Sequence, residues 1–213
     1  MSRTARYYRM ALSIIAFLGI FLQLGIPRGE FNYTVFLYFT ILSNLLVMFF
    51  YFFDNIFDRR RFRWLKGAMM MCITVTGLVY HVLLARGPFA MGVERDFLDQ
   101  GANFILHTLV PVMTVLDWVL FDKKPAFKRT DPFTWCILPD IYLVVFLLRG
   151  LIIGTPVFFG GSRYPYFFMD LDKIGVTGFI KYVLFLHIFF IILGFIYYGI
   201  DKVLAKHQNS TRI

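Results

Sequence analysis

Phe39-Thr40-Ile41-Leu42-Ser43-Asn44 sets three small polar side chains inside a run that is otherwise aromatic and aliphatic from Tyr33 to Phe53. A run of that length and composition is expected to cross a membrane as a helix. Read as a helix, Thr40, Ser43 and Asn44 fall at i, i+3 and i+4 and share one face. An unpartnered carboxamide in hydrocarbon costs about 4–8 kcal/mol, so that face is expected to look into a protein interior or a polar cavity.

The surrounding chain fits the same solvent. At 59% hydrophobic residues and a mean hydropathy of +0.67, the 213 residues are too apolar for a soluble domain, which is about half apolar. The expected fold is an all-α integral membrane protein, a six-transmembrane-helix bundle forming a single domain over 1–213. Segments of about 20 apolar residues fit at 8–26, 33–53, 67–85, 102–121, 132–153 and 176–200. The first run follows Arg3, Arg6 and Arg9 as a signal peptide would, yet it is long for one and lacks a small-residue cleavage site, so it reads as a retained anchor.

With Arg9, at the edge of the first span, counted with the N-terminal tail, 15 Lys and Arg flank these spans on one side and 5 on the other, which predicts cytoplasmic termini. The net charge of +9 is carried by these short interhelical blocks, so nucleic acid is not an expected partner. Cys72 and Cys136 fall within spans without metal-ligand or redox spacing and read as small packing residues. No metal cluster and no glycine-rich nucleotide loop is present in the pattern, so no cofactor is expected.

With orientation set, depth can be compared at about 1.5 Å per residue. Thr40 and His107 then share a layer in the outer half, and His81, Asn103, Arg149 and Lys181 fall close to it. A polar cavity opening toward the outer leaflet is the expectation. Two outer loops stand above it: Arg86 to Gly101, with Glu94, Arg95, Asp96 and Asp99, and Gly154 to Gly175, with Tyr164-Pro165-Tyr166-Phe167-Phe168. The aromatic loop reads either as an interfacial belt or as a lid.

Each polar residue also has a plainer reading. Threonine in a membrane helix often bonds its own i−4 carbonyl or packs at a helix interface. A lone histidine is often a satisfied core group, and Arg149 and Lys181 near span ends can snorkel. Asp117-Trp118 reads as an interfacial anchor or a bond to a neighbouring helix.

The order of short motifs adds a further line: Phe39-Thr40-Ile41-Leu42-Ser43-Asn44, then His107-Thr108-Leu109-Val110-Pro111 leading to Leu116-Asp117-Trp118, then Tyr164-Pro165-Tyr166 with Asp170. Along essentially the whole chain this resembles six-pass bacterial membrane proteins related to the androgen-induced (androgen-dependent tissue-factor-pathway-inhibitor regulator) family. The chain departs from the pattern at Phe167, where relatives commonly carry a second proline. The resemblance implies an intramembrane threonine hydrolase of fatty acid esters of hydroxy fatty acids, with Thr40 and His107 as the catalytic pair. It also implies a multi-pass protein of the bacterial inner membrane.

The residue chemistry is compatible, because an alcohol nucleophile needs a base within hydrogen-bond reach and histidine suits that role. Asn103, a backbone carbonyl or a water would orient His107, while Asn44 and Ser43 are candidates for oxyanion or orienting contacts. Arg149 and Lys181 are candidates for holding the carboxylate of an acyl-chain ligand, with His81, Tyr164 and Tyr166 also expected at the substrate. The expected partners are membrane lipids and an amphiphilic lipid substrate. The competing reading is a non-enzymatic lipid-binding or transport membrane protein using the same residues.

Overall fold

The computed structural model describes residues 2–54, 62–84 and 96–210. Arg59 to Arg61, Arg86, Glu94, Arg95 and Arg212 of the charge pattern lie outside the described residues. The described chain is all-α, with no strand beyond an isolated bridge between Phe158 and Ser162. Among the described residues, five helices are long and apolar enough to cross a membrane. The helices gather into two compact units, Met1–Ala126 and Phe127–Ile213.

In the first unit, α1 (Arg3–Gln23) starts on Ser2, whose hydroxyl accepts from the Ala5 amide. It ends at Gly25, whose φ of 80° is a left-handed conformation that glycine adopts without strain. The expected span 33–53 does not form one helix. Residues Tyr33–Leu37 make a 3-10 turn, Tyr38 is extended, and only α2 (Phe39–Phe53, 15 residues) is α-helical. The Asn32 carboxamide accepts from the Thr34 amide and hydroxyl and so caps the start of the 3-10 turn. At about 1.5 Å per residue, α2 rises about 22 Å, short of the hydrocarbon thickness of about 30 Å.

Helix α3 (Arg63–Val79) runs into a π-turn at Tyr80–Leu84. Helix α4 (Phe97–Phe104) is capped by Asp96 and passes through a second π-turn, Ile105–Leu109, into α5 (Val110–Phe121). Leu12 and Ala16 of α1, Val47 and Tyr51 of α2, Met69 and Ile73 of α3, and Val110 of α5 form one buried core.

One end of this unit is closed by charge. The Asp117 carboxylate, 0% exposed, accepts from Arg9 through Oδ1, and from Lys66 (2.5 Å) and the Tyr51 hydroxyl (3.1 Å) through Oδ2. Arg9 also pairs with Asp54 at 2.9 Å and Asp122 at 2.8 Å, and Lys66 with Asp122 at 2.7 Å. Sequence reading counts Arg9 and Lys66 among exposed topology determinants; both are buried. Asp117 is thus a bond between helices, the second of its two readings. Elsewhere Arg28 binds Asp96 through both carboxylate oxygens and lies 3.0 Å from Asp99, and this guanidinium holds the Asp96 carboxyl below the usual range.

The second unit comprises α6 (Asp131–Thr134), α7 (Ile137–Ile152) and α8 (Leu171–Ser210), the last interrupted at Gly175. Gly194 lets α8 approach Pro132 so closely that an added Cβ would lie 2.8 Å from the proline Cβ. Asp201 accepts from the Phe127 amide and Lys202 donates to the Phe127 carbonyl, fixing the start of the unit onto α8. Between α7 and α8, Ser162 donates to Asp170 at 2.8 Å and accepts from the Tyr164 amide, folding the aromatic loop onto the helices.

Candidate functional site

Thr40 lies in the first turn of α2 because the helix is broken at Tyr38, whose carbonyl accepts from the amides of Ile41 and Leu42. The positive end of the helix dipole therefore stands at Thr40, where it favours negative charge. No signal used in reading the sequence finds that break, because Tyr38 is as apolar as its neighbours.

His107 is placed by the π-turn of Ile105–Leu109. Pro111 has no N–H, and in a regular α-helix its ring would clash with the His107 carbonyl four residues back. The wider turn relieves that clash, and the Val110 amide bonds back five residues to Ile105. In that register the Leu106 carbonyl would look to residue 111 for a donor and find proline. Asn44 supplies it: Nδ2 donates to the Leu106 carbonyl at 3.2 Å and to the Thr40 carbonyl at 2.8 Å.

The outcome is a hydrogen-bonded pair, with Thr40 Oγ1 3.3 Å from His107 Nε2. His107 Nδ1 lies 3.1 Å from the carbonyl oxygen of Asn103. A carbonyl only accepts, so Nδ1 bears the hydrogen and Nε2 presents its lone pair to the Thr40 hydroxyl. Tyr80 stacks on the imidazole with ring centroids 4.1 Å apart and planes 20° apart, a contact absent from the sequence reading. His107 is buried and Thr40 half-buried.

The other expected site residues divide. Asn103 acts through its main chain, while its side chain donates to the Asp99 carbonyl. Both hydrogens of the Asn44 amide are spent on carbonyls, so Asn44 tethers α2 to the π-turn and is not an oxyanion donor. Ser43 is buried, and its hydroxyl has no partner among the described residues. His81 bonds the neighbouring turn, with Nε2 2.9 Å from Thr108 Oγ1.

Arg149, Lys181, Tyr164 and Tyr166 belong to the second unit. Arg149 donates to the Arg163 carbonyl at 3.1 Å and lies over the Phe158 ring, whereas Lys181 is exposed on α8. Tyr164 is buried against Gly150, and Tyr166 lies 6.3 Å from Tyr142 between ring centroids, so the loop rings pack on α7.

Glycine sets the approach of α3 to the site. A Cβ built on Gly77 would sit 2.8 Å from the His107 carbonyl oxygen, a main-chain atom that cannot swing aside. Gly77→Ala is therefore expected to displace the π-turn, costing about 1–3 kcal/mol and lengthening the Thr40–His107 contact. Thermal unfolding in detergent checks this, with Gly101→Ala as control, since the nearest atom there is 4.0 Å away.

No family model, curated protein or solved structure matches the chain. Among the described residues no group of three or more His, Cys, Asp or Glu is placed to hold a metal ion.

Proposed function

We propose that the chain is a multi-pass membrane protein with both termini cytoplasmic, acting as a lipid ester hydrolase in which Thr40 is the nucleophile and His107 the general base. The observation that carries this reading is the oriented pair: Thr40 Oγ1 at 3.3 Å from an Nε2 whose tautomer is fixed by the Asn103 carbonyl. The membrane reading rests on the five long apolar helices and the asymmetry of basic residues, which persists when the paired Arg9 and Lys66 are set aside.

The chemistry balances with these residues. Nε2 takes the Thr40 proton as Oγ1 attacks the ester carbonyl, and the resulting oxyanion develops near the positive end of α2. The intermediate collapses to an acyl-threonine as the protonated imidazole gives its proton to the leaving alkoxide. Water, deprotonated by Nε2, attacks the acyl group; the acid departs and Thr40 regains its proton. The Asn103 carbonyl orients the imidazole without supplying the charge that a carboxylate would, so a slower reaction than that of a full triad is expected.

The substrate class is an amphiphilic acyl ester, such as a fatty acid ester of a hydroxy fatty acid, in line with the motif resemblance and a site built on apolar helices. A fluorophosphonate probe tests the reading. Covalent labelling is expected at Thr40 of the full chain and is expected to be lost in Thr40→Val and His107→Gln. Labelling that persists in folded Thr40→Val excludes this nucleophile.

A further inference from the structure

The second unit holds a pair of titratable side chains that the hydrolase reading leaves unused. His187 on α8 directs both ring nitrogens at oxygens: Nδ1 lies 2.8 Å from the Val183 carbonyl, and Nε2 lies 2.7 Å from Oδ1 of Asp140 on α7. The carbonyl only accepts, so Nδ1 bears a hydrogen. Nε2 and a carboxylate oxygen at 2.7 Å require a proton between them, since two lone pairs at that distance repel. Imidazolium beside carboxylate and imidazole beside carboxylic acid both meet this requirement. Either way the pair is neutral and holds one exchangeable proton.

Other polar and charged groups on these helices make their described hydrogen bonds elsewhere or are exposed. On α7, the Cys136 thiol, one turn before Asp140, donates to the Pro132 carbonyl, and Arg149 is held by the Arg163 carbonyl. On α8, Lys181 is exposed, Tyr182 packs against Phe167, and Asp201 and Lys202 bind the Phe127 main chain. On α6, Asp131 accepts from the Lys128 amide. Asp140 and His187 therefore have each other as ionic partners, on helices whose neighbouring side chains Ile137, Ile141, Leu184 and Ile188 are exposed and apolar. Loss of the proton would leave a net negative charge in that apolar setting, which is costly unless the side chains part and gain water.

We propose that His187 and Asp140 form a proton-binding site that ties α7 to α8 when occupied and releases them when empty. The aromatic loop would follow, because Tyr166 rests near Tyr142 of α7 while Phe167 packs on Tyr182 of α8. The inference uses the membrane placement of these helices and is independent of Thr40 and His107.

The test uses the full chain in lipid bicelles with ¹⁵N-labelled histidine, the His187 signals being assigned by their loss in His187→Gln. A shared proton is expected to hold the Nε2 signal between the values of protonated and bare ring nitrogens. Asp140→Asn is expected to abolish that intermediate value. Spin labels on Val145→Cys and Ile188→Cys, with Cys72 and Cys136 replaced by Ala, report the helix spacing. The spacing is expected to widen as pH rises and the shared proton is lost, with no such step in His187→Gln, which keeps a hydrogen-bonding amide. An intermediate Nε2 signal that persists in Asp140→Asn overturns the proton site. A spacing that does not change with pH in the spin-labelled chain that keeps His187 and Asp140 overturns the tie, and this readout holds even where the His187→Gln or Asp140→Asn chain fails to fold.

Discussion

Thr40→Val in the full, membrane-reconstituted chain is expected to lower hydrolysis of long-chain acyl esters by at least about 10³-fold, and His107→Gln by about 10²–10⁴-fold. Valine keeps the branched shape beside His107 and removes only the hydroxyl, so the loss reads the nucleophile rather than the packing. Thr40→Ser retains the attacking oxygen and is expected to keep part of the activity. If the two side chains act as one unit, the double variant is hardly slower than either single one. A folded Thr40→Val protein with wild-type turnover would assign the pair to lipid binding or transport. Circular dichroism and detergent-extracted monodispersity check the fold of each variant.

The largest expected effect on stability falls at the other end of the same unit. Asp117→Asn removes the charge that meets Arg9 and Lys66, both nearly inaccessible to solvent. Breaking a buried ion pair on one side typically costs about 3–5 kcal/mol, because the remaining cations stay desolvated. Asp54 and Asp122 also contact these cations and moderate the loss, so a value near the lower end, about 3 kcal/mol, is expected. Arg9→Met combined with Asp117→Leu is expected to recover part of it, because the Arg9 charge is no longer left desolvated, while Lys66 keeps Asp122 as its partner. Reversible unfolding of the full chain in mixed micelles measures both changes.

The helical character and the Thr40–His107 adjacency were legible because both follow from period and depth. Long apolar runs announce helices, and 1.5 Å per residue brings two polar side chains on different helices to one level. The break at Tyr38 was not legible, because Tyr38 is as apolar as its neighbours and no glycine or proline marks the position. The group that orients His107 is open in the sequence among Asn103, a backbone carbonyl and a water, and only the geometry of the π-turn selects the Asn103 carbonyl. The ion cluster had a signal that went unused: Arg9 falls inside the expected first span, and a cation there calls for a carboxylate such as Asp117. Asn44 was misassigned as an oxyanion donor because nothing in its spacing from Thr40 shows that Pro111 has left the Leu106 carbonyl in need of it.

That last dependence bears on how such a chain can drift. Pro111 creates a vacancy at the Leu106 carbonyl and Asn44 fills it, although 67 positions separate them. With alanine at 111 a main-chain amide returns, and Asn44 is released to become an aliphatic residue. With proline retained, the carboxamide is under constraint whether or not the neighbouring pair ever turns over a substrate. The two positions should therefore be exchanged together, as a compensated double replacement, and the site's scaffold carries a memory of its proline in a residue on another helix.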